Sequence, residues 1–294
     1  MRISRRKLRR LGLHLIAIII CAFGFFPFVW ITSASFKSQQ ELFTTLPSLL
    51  PHHPVWDNYI YVLKGIGGIG AGSSGGSSLL LILYRNTVFV TLSAVFLVTT
   101  IVSLAAYALA RLKFRGRDAL FYFFLVLMFL PSGGGMMATY ELMHFLHLRN
   151  KLTGLILLFS AGGGGVALFL MRQVFLNIPS QLEDAARVDG ASNLRICFQI
   201  MMPLAAGGMI LVAVMQFVSV WGDYLTCRIM IDYADKMTLA YGMSFLYVAT
   251  PASGVVSSYG AQATAIIFTV LPTVLVFILL QKWFIRGALE GLKM

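Results

Sequence analysis

The side chains that could catalyse a reaction or bind a metal are few and scattered in this sequence. The three cysteines, Cys21, Cys197 and Cys227, show neither metal-ligand spacing nor a clear pairing, so we interpret them as free thiols. The five histidines lie near the N-terminus or in predicted loops, where no nucleophile and base come together. The glycine- and serine-rich tract at 65–78 lacks the lysine that a phosphate loop requires. The sequence therefore predicts no catalytic site, no metal site and no bound cofactor.

The residues that do stand out form a polar segment at 179–203, the longest helix-competent one between two apolar blocks. Ser180, followed three residues later by Glu183, matches a capping box and predicts a helix start. Gly190 stands where that helix would stop with a residue at positive φ. One narrow face of the predicted helix carries four residues at the i, i+3, i+4, i+7 spacing: Leu182, Ala185, Ala186 and Asp189. The face suits close docking against another protein, and a solvated amphipathic loop helix is the alternative.

The same segment resembles the cytoplasmic coupling signature of permease subunits of ABC importers. That signature has an acidic residue, two alanines, a glycine after three further residues, and a distal Ile-x-Leu-Pro. The matching residues here are Asp184, Ala185, Ala186, Gly190, Ile200 and Pro203. Asp184 replaces the usual glutamate, and Met202 replaces the usual leucine. The resemblance implies that 179–203, including Glu183 and Asp189, docks on an ATPase subunit.

The composition is that of a membrane protein that crosses the bilayer several times. Hydrophobic residues make up 58% of the chain, charged residues 12%, and the mean hydropathy is +0.82. The net charge of +12 does not form one basic patch with interleaved aromatics, so we expect no nucleic-acid partner. The basic residues cluster at the ends of apolar runs instead, as cytoplasmic loops of membrane proteins require.

Six apolar runs are long enough to cross about 30 Å of hydrocarbon. They cover approximately 11–34, 86–110, 119–140, 152–175, 204–225 and 261–284. The first follows a basic N-terminus but is too long for the apolar part of a signal peptide. Most of the 23 Lys and Arg residues are cytoplasmic if both termini lie inside. We therefore predict an all-α membrane protein with six transmembrane helices and both termini in the cytoplasm.

This topology divides the chain into three regions. Residues 1–35 form the basic N-terminus and the first transmembrane helix, and 36–83 form an external loop with the Gly/Ser tract as a flexible linker. Residues 84–294 form a core permease domain with five transmembrane helices, the segment 179–203 and a short cytoplasmic tail at 285–294.

The third and the fourth predicted transmembrane helices each contain a cluster of helix-breaking residues. Pro131 and Gly133 interrupt the third, where an irregular backbone either lines a water-filled path or is packed inside protein. Gly163 belongs to a run of four glycines in the fourth, and each glycine weakens a helix by about 1 kcal/mol relative to alanine. We favour close helix packing as the role of that run, with a kink that lines the pore as the alternative.

The fifth transmembrane helix ends in Trp221, Gly222, Asp223 and Tyr224, which resembles the Trp-Asn-Glu-(Phe/Tyr) element of the same family. An acidic side chain at the edge of the membrane is a candidate functional group, so one interpretation places these residues in the translocation path. An interfacial aromatic anchor with a solvated aspartate is the other. The tail also resembles the family's ATPase-contacting tail, at Leu289, Glu290 and Gly291.

The resemblance covers approximately Tyr84 to the C-terminus and is to the second permease of carbohydrate importers of the maltose-transporter kind. It implies the type I ABC importer permease fold in a bacterial cytoplasmic membrane. The implied partners are a related second permease, two ATPase subunits that bind ATP and Mg²⁺, an external solute-binding protein and membrane lipid. In that family the counterpart of the external loop 228–259 touches the binding protein.

A secondary, ion-coupled transporter is the main alternative. Such a protein would carry acidic or ion-binding groups inside the membrane, whereas the acids here lie in predicted loops or at helix ends. The substrate is left open by the sequence, because a mono-, di- or oligosaccharide, an acidic sugar polymer fragment, a polyol or a glycerol phosphate all fit.

Overall fold

In a computed structural model, the backbone is described for residues 5–44, 48–65, 76–129, 135–162, 164–244 and 259–290. Side chains are described for most of these residues, but not for 5–11, 44, 64–65, 76–79 or 283–290. All regular structure within these ranges is helical, which agrees with the predicted all-α class.

The helices follow one another along the chain as α1 Arg5–Ser35, α2 Gln39–Thr44, α3 Asp57–Gly65, α4 Gly76–Arg111, α5 Arg117–Met128, α6 Gly135–Phe145, α7 Leu152–Gly162, α8 Gly164–Asn177, α9 Ser180–Val188, α10 Asn193–Ile196, α11 Met202–Leu204, α12 Ala206–Trp221, α13 Leu225–Met230, α14 Leu239–Ser244 and α15 Tyr259–Glu290. A π-helical turn, Cys197–Met201, joins α10 to α11, and a 3₁₀ turn, Ala234–Lys236, precedes α14.

Three helices are long and apolar enough to cross a membrane by themselves: Gly12–Ser35, Leu80–Arg111 and Tyr259–Lys282. Two bent pairs raise the number to as many as five among the described residues. These are Leu152–Gly162 with Gly164–Asn177, bent by 52°, and Asn193–Leu204 with Ala206–Trp221, bent by 76°. The predicted third transmembrane helix corresponds to α5 and α6, and residues 130–134 between them lie outside the described part. The total of six therefore stays a prediction.

The chain divides into two compact units, the first formed by Met1–Leu79 with Met243–Val270. In this unit the predicted external loop is partly helical, because it contains α2 and α3. Asn58 on α3 is buried and donates hydrogen bonds of 2.9 Å to the carbonyls of Ser35 and Lys37. Val62, one turn further along α3, is fully buried. The loop is therefore anchored by polar and apolar contacts where the sequence suggested only a polar connection.

The second unit comprises Leu80–Gly242 with Leu271–Met294 and contains the segment 179–203. Its core joins α4, α8 and that segment through buried apolar side chains, among them Ala106, Phe175 and Ile196. At the glycine run, a Cβ on Gly165 would lie 3.3 Å from the Cβ of Met128, so α8 packs closely on α5 as favoured above. The 52° bend is found at the same run. Close packing and a kink therefore occur together.

Candidate functional site

The predicted coupling helix exists as α9, but it begins differently from the prediction. Pro179, in an extended conformation at φ −55° and ψ 131°, occupies the N-cap position, and no side chain caps the helix. Ser180 is the first helical residue, so the predicted capping box with Glu183 does not form. Glu183 instead accepts a 2.9 Å hydrogen bond from Arg187 one turn later. The capping prediction was wrong because a capping box needs the serine at the N-cap position, and Pro179 occupies that position instead.

The end of α9 confirms the prediction for Gly190. Its φ is +80°, and its N–H donates to the carbonyl of Arg187 at 3.0 Å. The N–H of Ala191 donates to the carbonyl of Ala186, also at 3.0 Å. These two hydrogen bonds form a Schellman motif, which satisfies the last carbonyls of the helix and turns the chain sharply. Glycine suits this position because L side chains disfavour positive φ.

The buried face of α9 consists of Glu183 and Ala186. Ala186 contributes to the core of the second unit, and the buried Glu183 carboxylate is paired with the half-exposed Arg187. That hydrogen bond raises the pKa of the Arg187 guanidinium above its ordinary value. The four residues of the predicted docking face therefore do not share one environment. Ala186 is buried, whereas Leu182, Ala185 and Asp189 are exposed. Asp184 is exposed as well.

The remainder of the segment turns back towards α12. Ser192 accepts a 3.4 Å hydrogen bond from the N–H of Arg195 and so caps α10. Pro203 has no N–H to donate to the carbonyl four residues earlier, and the backbone widens just before it into the π-helical turn Cys197–Met201. Ile200 is partly buried against the core, and Pro203 itself is exposed. Ile200 and Pro203 thus shape the exit of the segment.

Three large apolar side chains near the turn at Gly190 are exposed. Val188 is 88% exposed, Leu194 is 69% exposed and Leu182 is 45% exposed. We call these three residues the apolar coupling surface. Val188 and Leu194 were not predicted from the sequence, although two apolar residues on either side of a helix-ending glycine were a detectable signal. Their exposure in a segment that is predicted to lie outside the membrane makes these side chains candidates for a contact with another protein.

The residues at the end of α12 have a visible structural role. Trp221 is buried and stacks on Phe217 with ring centroids 5.3 Å apart. The Asp223 carboxylate accepts 2.9 Å hydrogen bonds from the N–H and the hydroxyl of Thr226, and thereby holds the start of α13. Tyr224 is partly buried beside Arg228. Asp223 is therefore not the freely solvated acid of the anchor interpretation, and a role in the translocation path stays a prediction.

The structure describes only some of the other predicted site residues. Pro131, Gly133, Gly163 and Gly291 lie outside the described residues. Leu289 and Glu290 belong to the last turn of α15, of which the backbone alone is described. Among the described residues, no three or more His, Cys, Asp or Glu side chains are grouped to hold a metal ion.

Comparison with known proteins decides the family. Residues 100–289 match the family described as "Binding-protein-dependent transport system inner membrane component". The chain belongs to this family of transporter permeases. The permease is 30% identical over 278 residues to the diacetylchitobiose uptake system permease protein NgcG of Streptomyces coelicolor. The aligned region covers 95% of this chain and 87% of NgcG. It is also 30% identical over 268 residues to the arabinooligosaccharides transport system permease protein AraQ of Halalkalibacterium halodurans, with 90% of each chain covered.

The fold of the permease is that of an ABC importer subunit. A bacterial ABC transporter involved in the import of the acidic polysaccharide alginate superposes with a TM-score of 0.79, over 97% of this chain and 99% of the other. The sequence identity is 22%, so this likeness concerns the fold alone. The type I importer fold is thus confirmed, and the protein is a transporter subunit that works with an ATPase and a substrate-binding protein. A secondary transporter is not favoured.

Proposed function

We propose that this permease forms half of the translocation path of an importer for an oligosaccharide. The proposal is supported by the relatives, which are named for the uptake of diacetylchitobiose and of arabinooligosaccharides. The second half of the path is contributed by a related but different permease in the same bacterial cytoplasmic membrane. Both termini face the cytoplasm, and lipid surrounds the exposed apolar helices.

The segment 179–203 is the contact with one of two ATPase subunits, which bind ATP and Mg²⁺ in place of this chain. The observation that carries this assignment is the apolar coupling surface of Leu182, Val188 and Leu194, held by the Schellman turn at Gly190. A short helix that is fixed at its buried face by Ala186 can transmit a displacement of the ATPase subunit without deforming. Closure of the ATPase dimer then moves this segment and changes which side of the membrane the path opens to.

The exposed acids Asp184 and Asp189 border the apolar coupling surface and set the charge that the ATPase meets. The tail residues Leu289, Glu290 and Gly291 form a second contact with the ATPase dimer. Pro131, Gly133, Gly163, Trp221, Asp223 and Tyr224 are assigned to the translocation path.

Purification of the tagged permease from mild detergent, with identification of the co-purifying subunits, tests the proposal. We expect an ATPase and a second permease, together with ATP hydrolysis that one binding protein stimulates. A panel of di- and oligosaccharides, an alginate fragment and glycerol phosphate then identifies the solute through uptake into proteoliposomes. Recovery of the permease without any ATPase contradicts the coupling assignment, and uptake of glycerol phosphate alone contradicts the oligosaccharide assignment.

Asp184→Lys separates docking from insertion. The reversed charge on the exposed face is expected to leave the protein in the membrane while uptake falls relative to ATP hydrolysis. Arg115→Glu, a charge reversal at an exposed position outside the segment, serves as the control. Normal uptake by Asp184→Lys contradicts the docking face.

A further inference from the structure

Helix α4 contains the longest apolar membrane-crossing stretch in the part of the chain that the structure describes, Leu80–Arg111. No proline or glycine occurs within that stretch. By contrast, α1 contains Pro27 and α15 contains Pro272. A helix without such residues lacks the usual sites of kinking. Among the three long helices, α4 is therefore the one whose apolar stretch has no proline or glycine at which it would kink.

The outer part of α4 is clamped to the segment at 235–239 by two buried polar side chains. Asn86 donates through Nδ2 to the carbonyl of Asp235 at 2.8 Å and to that of Met237 at 3.0 Å. The Thr87 hydroxyl accepts a 2.7 Å hydrogen bond from the N–H of Leu239. Asn86 and Thr87 are each only 1% exposed, so these hydrogen bonds are shielded from competing water. We call this set the outer clamp.

The other end of α4 is clamped to the chain that leads into the coupling helix. Arg111 donates through Nε to the carbonyl of Phe175 at 3.1 Å, and its Nη2 bonds the carbonyls of Phe175 and Ile178. Phe175 lies in the last turn of α8, and Ile178 is two residues before α9. A cation at the C-terminus of a helix also interacts favourably with the helix dipole. We call this set the inner clamp.

The spacing of the clamps matches the thickness of a membrane. Asn86 and Arg111 are separated by about 38 Å at 1.5 Å per helical residue, which exceeds the approximately 30 Å of a hydrocarbon core. The intervening surface of α4 is packed, with Val98, Val102 and Ala106 buried in the core of the same unit. The two clamps therefore connect one side of the membrane to the other through a single packed helix.

We propose that α4 is a rigid strut that couples the segment 235–239 to the coupling segment 179–203, with Asn86, Thr87 and Arg111 as positioning residues for transport. A shift of the outer segment moves the carbonyls bonded by Asn86 and Thr87, and α4 carries that shift to Phe175 and Ile178. This proposal rests on the proposed function, since it assumes that 179–203 meets the ATPase. It adds a route by which an event at the outer segment reaches that contact.

The test uses the complete transporter in proteoliposomes, with ATP hydrolysis measured with and without the binding protein and uptake measured in parallel. Thr87→Val removes the acceptor for Leu239 but keeps the side-chain shape, and Thr87→Ser keeps the hydroxyl. Arg111→Met removes the inner clamp, Arg111→Lys retains a charged donor, and Arg115→Met removes an exposed charge nearby. We expect roughly tenfold losses of stimulated hydrolysis and uptake for Thr87→Val and Arg111→Met, with basal hydrolysis within about twofold of wild type.

The conservative and control variants are expected to retain most of the stimulation. The double variant Thr87→Val, Arg111→Met then distinguishes a strut from two local anchors. If α4 acts as a strut, disconnecting one end already removes the coupling, and disconnecting the other end causes no further loss of stimulated hydrolysis or uptake. The double variant should then be as active as the less active of the two single variants. Losses that multiply, or stimulation that survives either single change, overturn the proposal.

Hydrogen exchange of residues 180–188 supplies a second readout if Arg111→Met lowers the yield of the complex. Faster exchange in the coupling helix of the Thr87→Val complex supports the strut, because the change is made on the far side of the membrane. Unchanged exchange there overturns it. Failure of the proposed function is recognised separately, because the wild-type permease would then recover no ATPase.

Discussion

The turn that ends the coupling helix gives the sharpest prediction, because Gly190 combines a positive φ with open space. Its φ is +80°, and a Cβ placed on it would meet nothing within 4 Å. Gly190→Ala is therefore opposed only by the backbone, which disfavours an L residue there by about 1–2 kcal/mol. Asparagine tolerates this region better than other residues, so Gly190→Asn should cost less than alanine.

Proline at the same position is a different case. Its ring holds φ near −65°, and it cannot donate the hydrogen bond that Gly190 makes to the carbonyl of Arg187 at 3.0 Å. The Schellman turn must then be rebuilt, at a cost of about 3 kcal/mol or more by analogy with proline in a helix interior. Each 1.4 kcal/mol lowers the population of the native turn about tenfold once alternative turns compete.

The assay is uptake and ATP hydrolysis by the reconstituted transporter carrying glycine, asparagine, alanine or proline at this position. Uptake per ATP hydrolysed should fall in that order, with proline close to zero, while the amount of inserted permease stays constant. Gly24→Ala, at a position inside α1 where a Cβ also meets nothing within 4 Å, controls for the loss of a glycine in itself. Equal uptake by the proline variant and the wild type would refute the argument that this turn shapes the contact.

Three further predictions concern other parts of the chain. Gly154→Ala should lower the thermal unfolding temperature of the purified complex sharply, since the new Cβ would lie 2.2 Å from the carbonyl oxygen of Leu148; an unfolding temperature as high as that of Gly24→Ala contradicts the close approach. Glu183→Ala should reduce co-purification of the ATPase more than Glu183→Gln does, because only glutamine keeps an acceptor for the guanidinium at the buried position; equal recovery would mean that this contact is dispensable. Deletion of part of the Gly/Ser tract at 65–78 should leave assembly intact, and loss of the complex on a size column contradicts the linker interpretation.

Some features of the coupling segment could be read from the sequence because they depend on local chemistry. A glycine after a helical run predicts a left-handed C-terminal residue, and Gly190 adopts it. The capping box could not be judged in the same way, since Ser180 and Glu183 satisfy the pattern while Pro179 already starts the helix. Glu183 is consequently free to pair with Arg187.

The sequence could not predict which face of α9 packs against the core, and the physical reason is a different one. Residues at helical spacing share a face, but the spacing does not say which face meets the core. Leu182 and Ala185 were expected to act together with Ala186, yet α9 buries Ala186 and exposes the other two. The burial follows from where α8 and α4 present their apolar side chains, such as Phe175 and Ala106.

The sequence by itself determined that this chain is a helical membrane protein, and it predicted that the segment 179–203 is a coupling element, because hydropathy and motif spacing are properties of the chain order. Only the tertiary structure decided which residues hold that element in place. Arg111 is 64 residues from Phe175 in the chain, and Asn86 is 149 residues from Asp235. Hydrogen bonds between such distant residues depend on how the helices pack, and no local pattern records that packing.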